Sequence, residues 1–230
     1  MKIELIDVTV RYGSIIALSN CDLVIGSDEA VAVIGPNGNG KSSLLKAIAG
    51  LASFDGHIRV DGQEPSRRTA RSSWAVRRGV VLVPERRALF PRMTVRDNIL
   101  LGCYAFTRRL STRLRDQVMA ETLDLFPELE TKLNSDAGTL SGGQQQMVAI
   151  ARGLASRPSV LMLDEPSLGL AEIVVHKLYD TLSTLRTEGR GLVVAEESPV
   201  NAIRLCDKVV SVERGTVAVA PAPVRSEMIP

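Results

Sequence analysis

The sequence contains few of the residues that build disulfide scaffolds or zinc sites. Its three cysteines, Cys21, Cys103 and Cys206, are far apart and form no Cys-x-x-Cys pair. Disulfide frameworks and structural zinc sites need paired cysteines at short, regular spacings. We therefore expect free thiols and a reducing compartment such as the cytosol.

Long apolar runs are also missing. No stretch approaches the roughly 18 to 20 consecutive apolar residues that a helix needs to cross a bilayer. The first residues, MKIELIDVTVRYGS, carry charges where a secretory signal peptide would have an apolar core. We expect a soluble protein that serves a membrane only by docking on partners that span it.

Neither sign of charge dominates. The chain has 28 Lys and Arg residues against 26 Asp and Glu residues, a net charge of +2, so its composition does not favour nucleic acid as a partner. Arginines do cluster within residues 67–87 and 108–115. These clusters are either solvated surface or a face that meets an acidic partner or a lipid surface, and the sequence leaves both open.

Apolar residues are plentiful, and their spacing predicts the secondary structure. They make up 45% of the 230 residues, enough for one domain, with or without an inserted lobe. Apolar and polar residues alternate over residues 2–23, which predicts short antiparallel strands around a turn at residues 12–14. Unbroken apolar runs predict strands covered on both faces. These runs are residues 30–34, 80–83, 160–163 and 191–195.

Helical spacing fills the segments between these runs. It predicts helices at residues 41–49 and 144–155 and a mainly helical stretch over residues 94–127. The tail, residues 209–219, reads as strands around a turn at Arg214 and Gly215. Apolar strands that alternate with helices predict an α/β fold with a parallel sheet, and the long helical stretch predicts an inserted helical lobe.

A glycine-rich loop follows the first apolar run. Residues 35–42 read GPNGNGKS and match the pattern GxxxxGK[ST] between a predicted strand and a predicted helix. Such a loop turns its backbone N–H groups toward phosphate, the lysine reaches the terminal phosphates and the serine hydroxyl binds Mg²⁺. The predicted ATP contacts are Gly35, Pro36, Asn37, Gly38, Asn39, Gly40, Lys41, Ser42 and Ser43, with Ser42 also a Mg²⁺ ligand.

Two carboxylates follow the apolar run at residues 160–163. Asp164 at the end of a buried strand can hold Mg²⁺, directly or through water, and Glu165 can act as the general base on the attacking water. An acidic cap after a strand is the ordinary alternative. With a phosphate loop upstream, we predict Asp164 as a metal ligand and Glu165 as the catalytic residue.

Residues 140–144 read LSGGQ, directly before a predicted helix. Lying between a phosphate loop and an Asp-Glu strand, this motif resembles the signature of ABC (ATP-binding cassette) ATPases. In that family two cassettes dimerise head to tail, and each signature caps the ATP of its partner. The resemblance implies ATP contacts from Ser141, Gly142, Gly143 and Gln144.

The resemblance extends over nearly the whole chain. Tyr12 lies where the family places an aromatic residue against adenine, and Glu85 lies where most cassettes have a glutamine that links the metal site to the membrane partner. Gly169 replaces a common aspartate in the loop that contacts the opposite subunit. The segments around Glu85 and Gly169 resemble the ATPase subunits of bacterial branched-chain amino acid importers.

One further position departs from the family. Most cassettes have a histidine that contacts the γ-phosphate just after the strand at residues 191–195, and this chain has Glu197 there. An ionised carboxylate would repel the triphosphate. We therefore expect that Glu197 points away, is protonated, or makes hydrolysis slow.

The resemblance implies a P-loop NTPase (RecA-like) core with an N-terminal antiparallel β region and an inserted helical subdomain. We expect a single domain over residues 1–230, with residues 1–86 and 159–230 as the core and residues 87–158 as the helical subdomain. The surface at residues 89–96 is a candidate for docking on the membrane subunits; alternatively it is a solvated loop over a buried Phe90.

The implied function is a Mg²⁺-dependent ATPase that powers a transporter from the cytoplasmic face of the membrane. Its implied partners are membrane-spanning permease subunits, a second cassette, identical or related, and indirectly a solute-binding protein, without nucleic acid. An ATPase of a different importer or exporter, for urea, amides or another solute, is an alternative. A DNA-repair ATPase is a further alternative, although residues 43–139 hold no sustained heptads and no cysteine pair.

Overall fold

In the computed structural model of the protein, which describes residues 1–65, 71–105 and 111–221, the strands form two sheets. The smaller sheet is antiparallel, in the order β2-β1-β4. Its strands are β1 (Lys2–Tyr12), β2 (Ile15–Gly26) and β4 (Phe54–Val60). This confirms the antiparallel strands and the turn predicted at the N-terminus, whereas β4 was not predicted.

The larger sheet has six strands in the order β5-β6-β7-β3-β8-β9. The first five run parallel, and β9 is antiparallel to β8. In chain order they are β3 (Ala30–Ile34), β5 (Val80–Val83), β6 (Val160–Asp164), β7 (Gly191–Glu196), β8 (Lys208–Glu213) and β9 (Thr216–Pro221). Every apolar run that predicted a buried strand is confirmed, as is the pair of strands in the tail.

The helices connect these strands. They are α1 (Lys41–Ile48), α2 (Arg71–Arg77), α3 (Val95–Leu100), α4 (Thr112–Leu125), α5 (Gly142–Ala155), α6 (Glu172–Thr187) and α7 (Pro199–Leu205). The helical stretch predicted over residues 94–127 is confirmed by α3 and α4, and the helix predicted at residues 144–155 is confirmed by α5. Within the described ranges, no helix is both long enough and apolar enough to cross a bilayer.

The larger sheet separates two layers of buried side chains. On β3, Ala30 and Ala32 face the layer that holds the buried residues of α3, α5 and α6, while Val31 and Val33 face α1 and the smaller sheet. Side chains on alternate faces of one strand therefore join both layers. The predicted α/β fold is confirmed.

The arrangement of parallel strands places the site. β6, β7 and β3 are neighbours, and their carboxyl ends lie at one edge, where Asp164 is level with Ala195 and Ile34 is level with Glu196. The segments after these strands therefore converge, as is usual for ligand sites of open α/β sheets.

Part of the predicted arginine clusters, within residues 66–70 and 106–110, lies outside the described residues. Of the arginines that are described, Arg87 is half-buried and donates from Nε to Oε1 of Gln146 in α5 at 3.0 Å. Its role is a contact within the fold, and the interpretation as solvated surface is wrong for this residue.

Candidate nucleotide site

The glycine-rich loop joins β3 to α1 under tight steric limits. A Cβ at Gly35 would lie 2.1 Å from the carbonyl oxygen of Val212, and one at Gly40 would lie 2.3 Å from that of Ala17. Gly40 also has a φ of 113°, which other residues avoid. The loop can therefore follow this path only because these two positions lack side chains.

Asn39 fixes the loop from outside. Its Oδ1 accepts the N–H of Arg214 at 2.7 Å, and its carbonyl oxygen accepts the N–H of Gly215 at 3.0 Å. Gly215 in turn accepts the N–H of Ser19 at 2.8 Å. The predicted nucleotide contact Asn39 thus has a structural role, because it ties the loop to the β8–β9 turn and to β2.

Lys41 is the first residue of α1, and its ammonium group lies in the mouth of the loop. The side chain is only 3% exposed. Its Nζ donates to the carbonyl oxygen of Gly35 at 2.6 Å and to Oδ1 of Asn37 at 3.3 Å, and it lies 3.0 Å from Oε1 of Glu165. These contacts hold a positive charge at one place in the loop.

Ser42 and Asp164 meet directly. The Ser42 hydroxyl donates to Oδ1 of Asp164 at 2.9 Å. Burial raises the pKa of the Asp164 carboxyl, and the hydrogen bond from Ser42 opposes this shift. The two residues predicted as metal ligands are therefore neighbours, although they are far apart in sequence.

Glu165 continues the chain from β6 in an unusual backbone conformation. Its φ is 48°, a left-handed value that is rare for residues other than glycine. Its N–H donates to the carbonyl oxygen of Ala195 at 2.9 Å, and its side chain is buried. The conformation turns the carboxylate out of the strand direction and toward Lys41.

These groups line a pocket of about 350 Å³. Its lining brings together the phosphate loop, Glu85, Glu165 and the loop after β6. The lining residues are Ala17, Asn37, Gly38, Gly40, Lys41, Ser42, Ser43, Glu85, Glu165 and Leu168. The volume is in the range of small-molecule sites, and the lining includes one cationic and two acidic side chains.

The signature residues lie outside this lining. Ser141 caps α5: its hydroxyl accepts the N–H of Gln144 at 3.3 Å, and Oε1 of Gln144 accepts the N–H of Ser141 at 3.1 Å. Ser141 and Gly142 are exposed, so the amino end of α5 faces outward. Gly142 and Gly143 form its first turn, two residues before the predicted start of the helix.

Tyr12 is not among the pocket-lining residues either. It ends β1 opposite Ile15 and is 50% exposed. Glu197 lies closer to the loop: it is exposed, and its Oε2 accepts a hydrogen bond from Nδ2 of Asn37 at 2.8 Å. This contact places Glu197 against the phosphate loop rather than turned away from it.

Sequence analysis missed two residues beside the site. Glu196 is buried at the end of β7, and the hydroxyl of Tyr179 in α6 donates to it at 3.1 Å. One signal was available, because Glu196 and Glu197 follow the apolar run at residues 191–195 and so repeat the pattern of two carboxylates that marks Asp164 and Glu165.

Comparison with known proteins agrees with this geometry. The sequence model of the family described as "ABC transporter" matches residues 18–168. The chain is 38% identical over 211 residues to the high-affinity branched-chain amino acid transport ATP-binding protein BraG of Pseudomonas aeruginosa, which covers 91% of this chain and 88% of that protein. It is 33% identical over 214 residues to the probable branched-chain amino acid transport ATP-binding protein LivF of Archaeoglobus fulgidus, covering 90% and 86%.

A solved structure is similar over almost its whole length. It is the dimeric structure of an ATP-binding cassette in a post-hydrolysis state bound to ADP and Pi, with a TM-score of 0.86, 28% identity and coverage of 96% of this chain and 99% of that one. The chain therefore belongs to the ABC transporter family and is an ATP-binding subunit that hydrolyses ATP for a transporter.

Proposed function

We propose that this cassette powers the import of branched-chain amino acids or closely related solutes. The observation that carries this proposal is the 38% identity to a branched-chain amino acid transport ATP-binding protein over 91% of the chain. The second relative named above carries the same kind of description. The cassette itself would not touch the solute; it would supply the energy.

The phosphate loop would bind the ATP phosphates, with Lys41 as a fixed positive charge at the terminal phosphates. Ser42 and Asp164 would hold Mg²⁺. Their oxygens lie 2.9 Å apart, so both would be close enough to bind one Mg²⁺ ion, which prefers oxygen ligands. The Ser42 hydroxyl and the Asp164 carboxylate are therefore suitable. The remaining ligands would be water and phosphate oxygens. Bound there, Mg²⁺ would neutralise charge on the phosphates.

Glu165 would act as the general base. Its carboxylate is aimed into the pocket and lies 3.0 Å from Lys41. A carboxylate at this place can orient a water molecule on the γ-phosphate and accept its proton. Lys41 would then serve both groups, because it contacts the base and lies in the loop that receives the phosphates.

The site would be completed by a second cassette. The exposed amino end of α5 carries Ser141, Gly142, Gly143 and Gln144 away from the pocket lining of its own chain. A helix amino end attracts anions, so in a head-to-tail pair it would meet the triphosphate of the partner. Tyr12, which is 50% exposed at the end of β1, would stack on the adenine.

The membrane subunits would dock in an apolar groove of about 390 Å³. It lies between β5, the turn after α3 and α5, and includes Val83, Phe90 and Leu101. Phe90 is 53% exposed, so the alternative of a loop over a buried Phe90 is wrong. An exposed aromatic ring beside an apolar groove is typical of a protein interface, and docking there would hold the cassette at the cytoplasmic face of the membrane.

Purification of the tagged chain from native membranes, followed by mass spectrometry, tests the proposal. We expect two permease-like membrane proteins, a second cassette and an amino-acid-binding protein. Phe90→Asp should lose the membrane proteins, because it places a charge in the groove, whereas Val24→Glu, which changes an exposed apolar residue on β2, should retain them. Recovery of DNA or ribosomes without membrane proteins would contradict the transporter role.

A further inference from the structure

Glu196 is a third carboxylate at the carboxyl edge of the sheet, beside the pair at the end of β6. Its side chain is 3% exposed. One oxygen, Oε1, accepts two hydrogen bonds of 3.1 Å, from the backbone N–H of Ser167 and from the hydroxyl of Tyr179. Both donors are neutral, and burial raises the pKa of the carboxyl. Burial of a carboxyl group costs free energy unless hydrogen bonds compensate for it, and these two bonds provide that compensation.

The bond to Ser167 acts on the turn that carries Glu165. Glu165 adopts a φ of 48°, a left-handed conformation that is unfavourable for a residue other than glycine. Such a conformation persists only where its surroundings hold it. The N–H of Glu165 is bound by Ala195, and the N–H of Ser167, two residues on, is bound by Glu196. Strand β7 therefore holds both ends of the turn.

Further hydrogen bonds connect this turn to the loop that follows it, at residues 168–170. Leu168 N–H donates to the carbonyl oxygen of Glu165 at 3.2 Å, and Leu170 N–H donates to that of Ser167 at 3.1 Å. Leu168 lines the pocket. Tyr179, in α6, donates to the same oxygen of Glu196. A displacement of Ser167 would thus move the base, one wall of the pocket and the start of the loop together.

We propose that Glu196 is a positioning residue for ATP hydrolysis: by holding Ser167, its side chain sets the direction of the Glu165 carboxylate and the path of residues 167–170. The proposal rests on the proposed role of Glu165 as the base. Glu196 has no hydrogen bond to Lys41 or Ser42 among the described residues, so its loss keeps the contacts of the phosphate loop and acts mainly on the chemical step.

Mg-ATP hydrolysis by the purified full chain tests this in four variants. Glu196→Ala removes the acceptor, and we expect kcat to fall about 10- to 100-fold, the range for a misplacement of about 1 Å, with KM for ATP within about twofold of the wild type. Glu196→Gln keeps an acceptor oxygen for Ser167 and should stay within about threefold of the wild-type kcat. Asp180→Asn, on the exposed side of α6, is the matched control, and Glu165→Gln is the reference for a lost base.

A wild-type kcat in Glu196→Ala, a change confined to KM, or a loss in Glu196→Gln as large as in Glu196→Ala would each overturn the proposal. If Glu196→Ala does not fold, Tyr179→Phe decides, because it removes one of the two donors and keeps the ring; a wild-type kcat there overturns the proposal, and a lower kcat at constant KM supports it.

Backbone amide exchange separates this proposal from the role of Glu165. Without the Glu196 acceptor, the amides of residues 167–170 should exchange faster, while those of α1 should not change. Unchanged exchange at residues 167–170 would overturn the proposal. If Glu165→Gln hydrolyses ATP normally, the proposed base is wrong, and the exchange result alone then decides whether Glu196 holds the turn.

Discussion

At the residue scale, the contact between Asn37 and Glu197 joins the phosphate loop to the segment after β7. Asn37 donates to Glu197 from Nδ2 and accepts from Lys41 at Oδ1. The amide is therefore oriented by a cation on one side and a carboxylate on the other. A negative charge next to a loop built for phosphate opposes the binding of the triphosphate.

Glu197→Gln keeps an acceptor for Asn37 and removes the charge. We expect ATP hydrolysis to rise about two- to fivefold at low ionic strength, a size typical of a charge–charge interaction near a protein surface. The gain should shrink in high salt, because exposed charges are screened. Steady-state rates at two salt concentrations measure this, with Glu188→Gln, a change of equal charge at the end of α6, as the control. An unchanged or lower rate would contradict the repulsion.

Sequence patterns identified Lys41, Ser42, Asp164 and Glu165 because each motif follows a strand whose carboxyl end lies at one edge of the sheet. The structure brings these four residues together; their chemical roles stay predictions. The role of Glu196 was not predicted because its hydrogen-bond partners, Ser167 and Tyr179, lie in other segments of the chain. A local sequence pattern does not show hydrogen bonds between distant segments.

At the element scale, α5 is fixed to the segment after β5 by two arginines. Arg152 in α5 donates to the backbone carbonyl oxygens of Arg87 at 2.7 Å and Ala88 at 2.8 Å. Arg87 and Ala88 have φ values of 59° and 47°, so this segment holds two consecutive left-handed residues. Because such residues are strained, the segment depends on the contacts from α5.

Arg152→Met should therefore destabilise the protein by about 2 kcal/mol, because it keeps most of the apolar stem and removes two hydrogen bonds from a charged donor. Urea unfolding measures the change. Arg157→Met is a matched control near the end of the same helix: its side chain is 45% exposed and forms one ion pair with Glu121 at 3.3 Å, so we expect less than about 1 kcal/mol. Equal effects of the two substitutions would contradict a special role of the hydrogen bonds from Arg152 to Arg87 and Ala88.

Four of the strands that sequence analysis recovered share one property. Strands β3, β5, β6 and β7 are covered on both faces and are therefore apolar without interruption. By contrast, β4 contains Gly56, whose φ is 88° and where the pairing with β1 shifts register. The helix α6 begins without a side-chain cap and with several β-branched residues, so it lacked the usual signal of a helix start. The secondary structure of β4 and α6 therefore depends on tertiary packing, which a local sequence pattern does not reveal.

At the scale of the whole molecule, the three thiols report on the two core layers. Cys21 lies in the layer between the sheets, and Cys103 and Cys206 lie in the layer on the other face of the larger sheet. Burial raises the pKa of Cys21 and Cys206 to about 12, and it also raises that of Cys103. The reactive thiolate is therefore scarce at neutral pH.

We expect a thiol reagent at pH 8 to label the native protein slowly at all three cysteines, and to label it fully and at once in denaturant. Labelling rates followed across a urea series would rise with the unfolded fraction. Since each layer has its own cysteines, labelling of Cys21 before Cys103 and Cys206 would show that the layers open separately. Fast labelling of all three in native buffer would contradict the buried positions.

The ties of Asn39 to Arg214, Gly215 and, through Gly215, to Ser19 make the phosphate loop part of a rigid frame rather than a free hinge. The loop is braced by the β8–β9 turn and by β2, whereas the signature lies on α5, at a distance along the chain and outside the pocket lining. In a pair of cassettes, ATP would therefore be held between a phosphate loop that keeps its position in its own chain and the amino end of α5 of the other chain. The displacement that does work on a membrane partner would then come from the movement of α5, and the braced phosphate loop would resist that force.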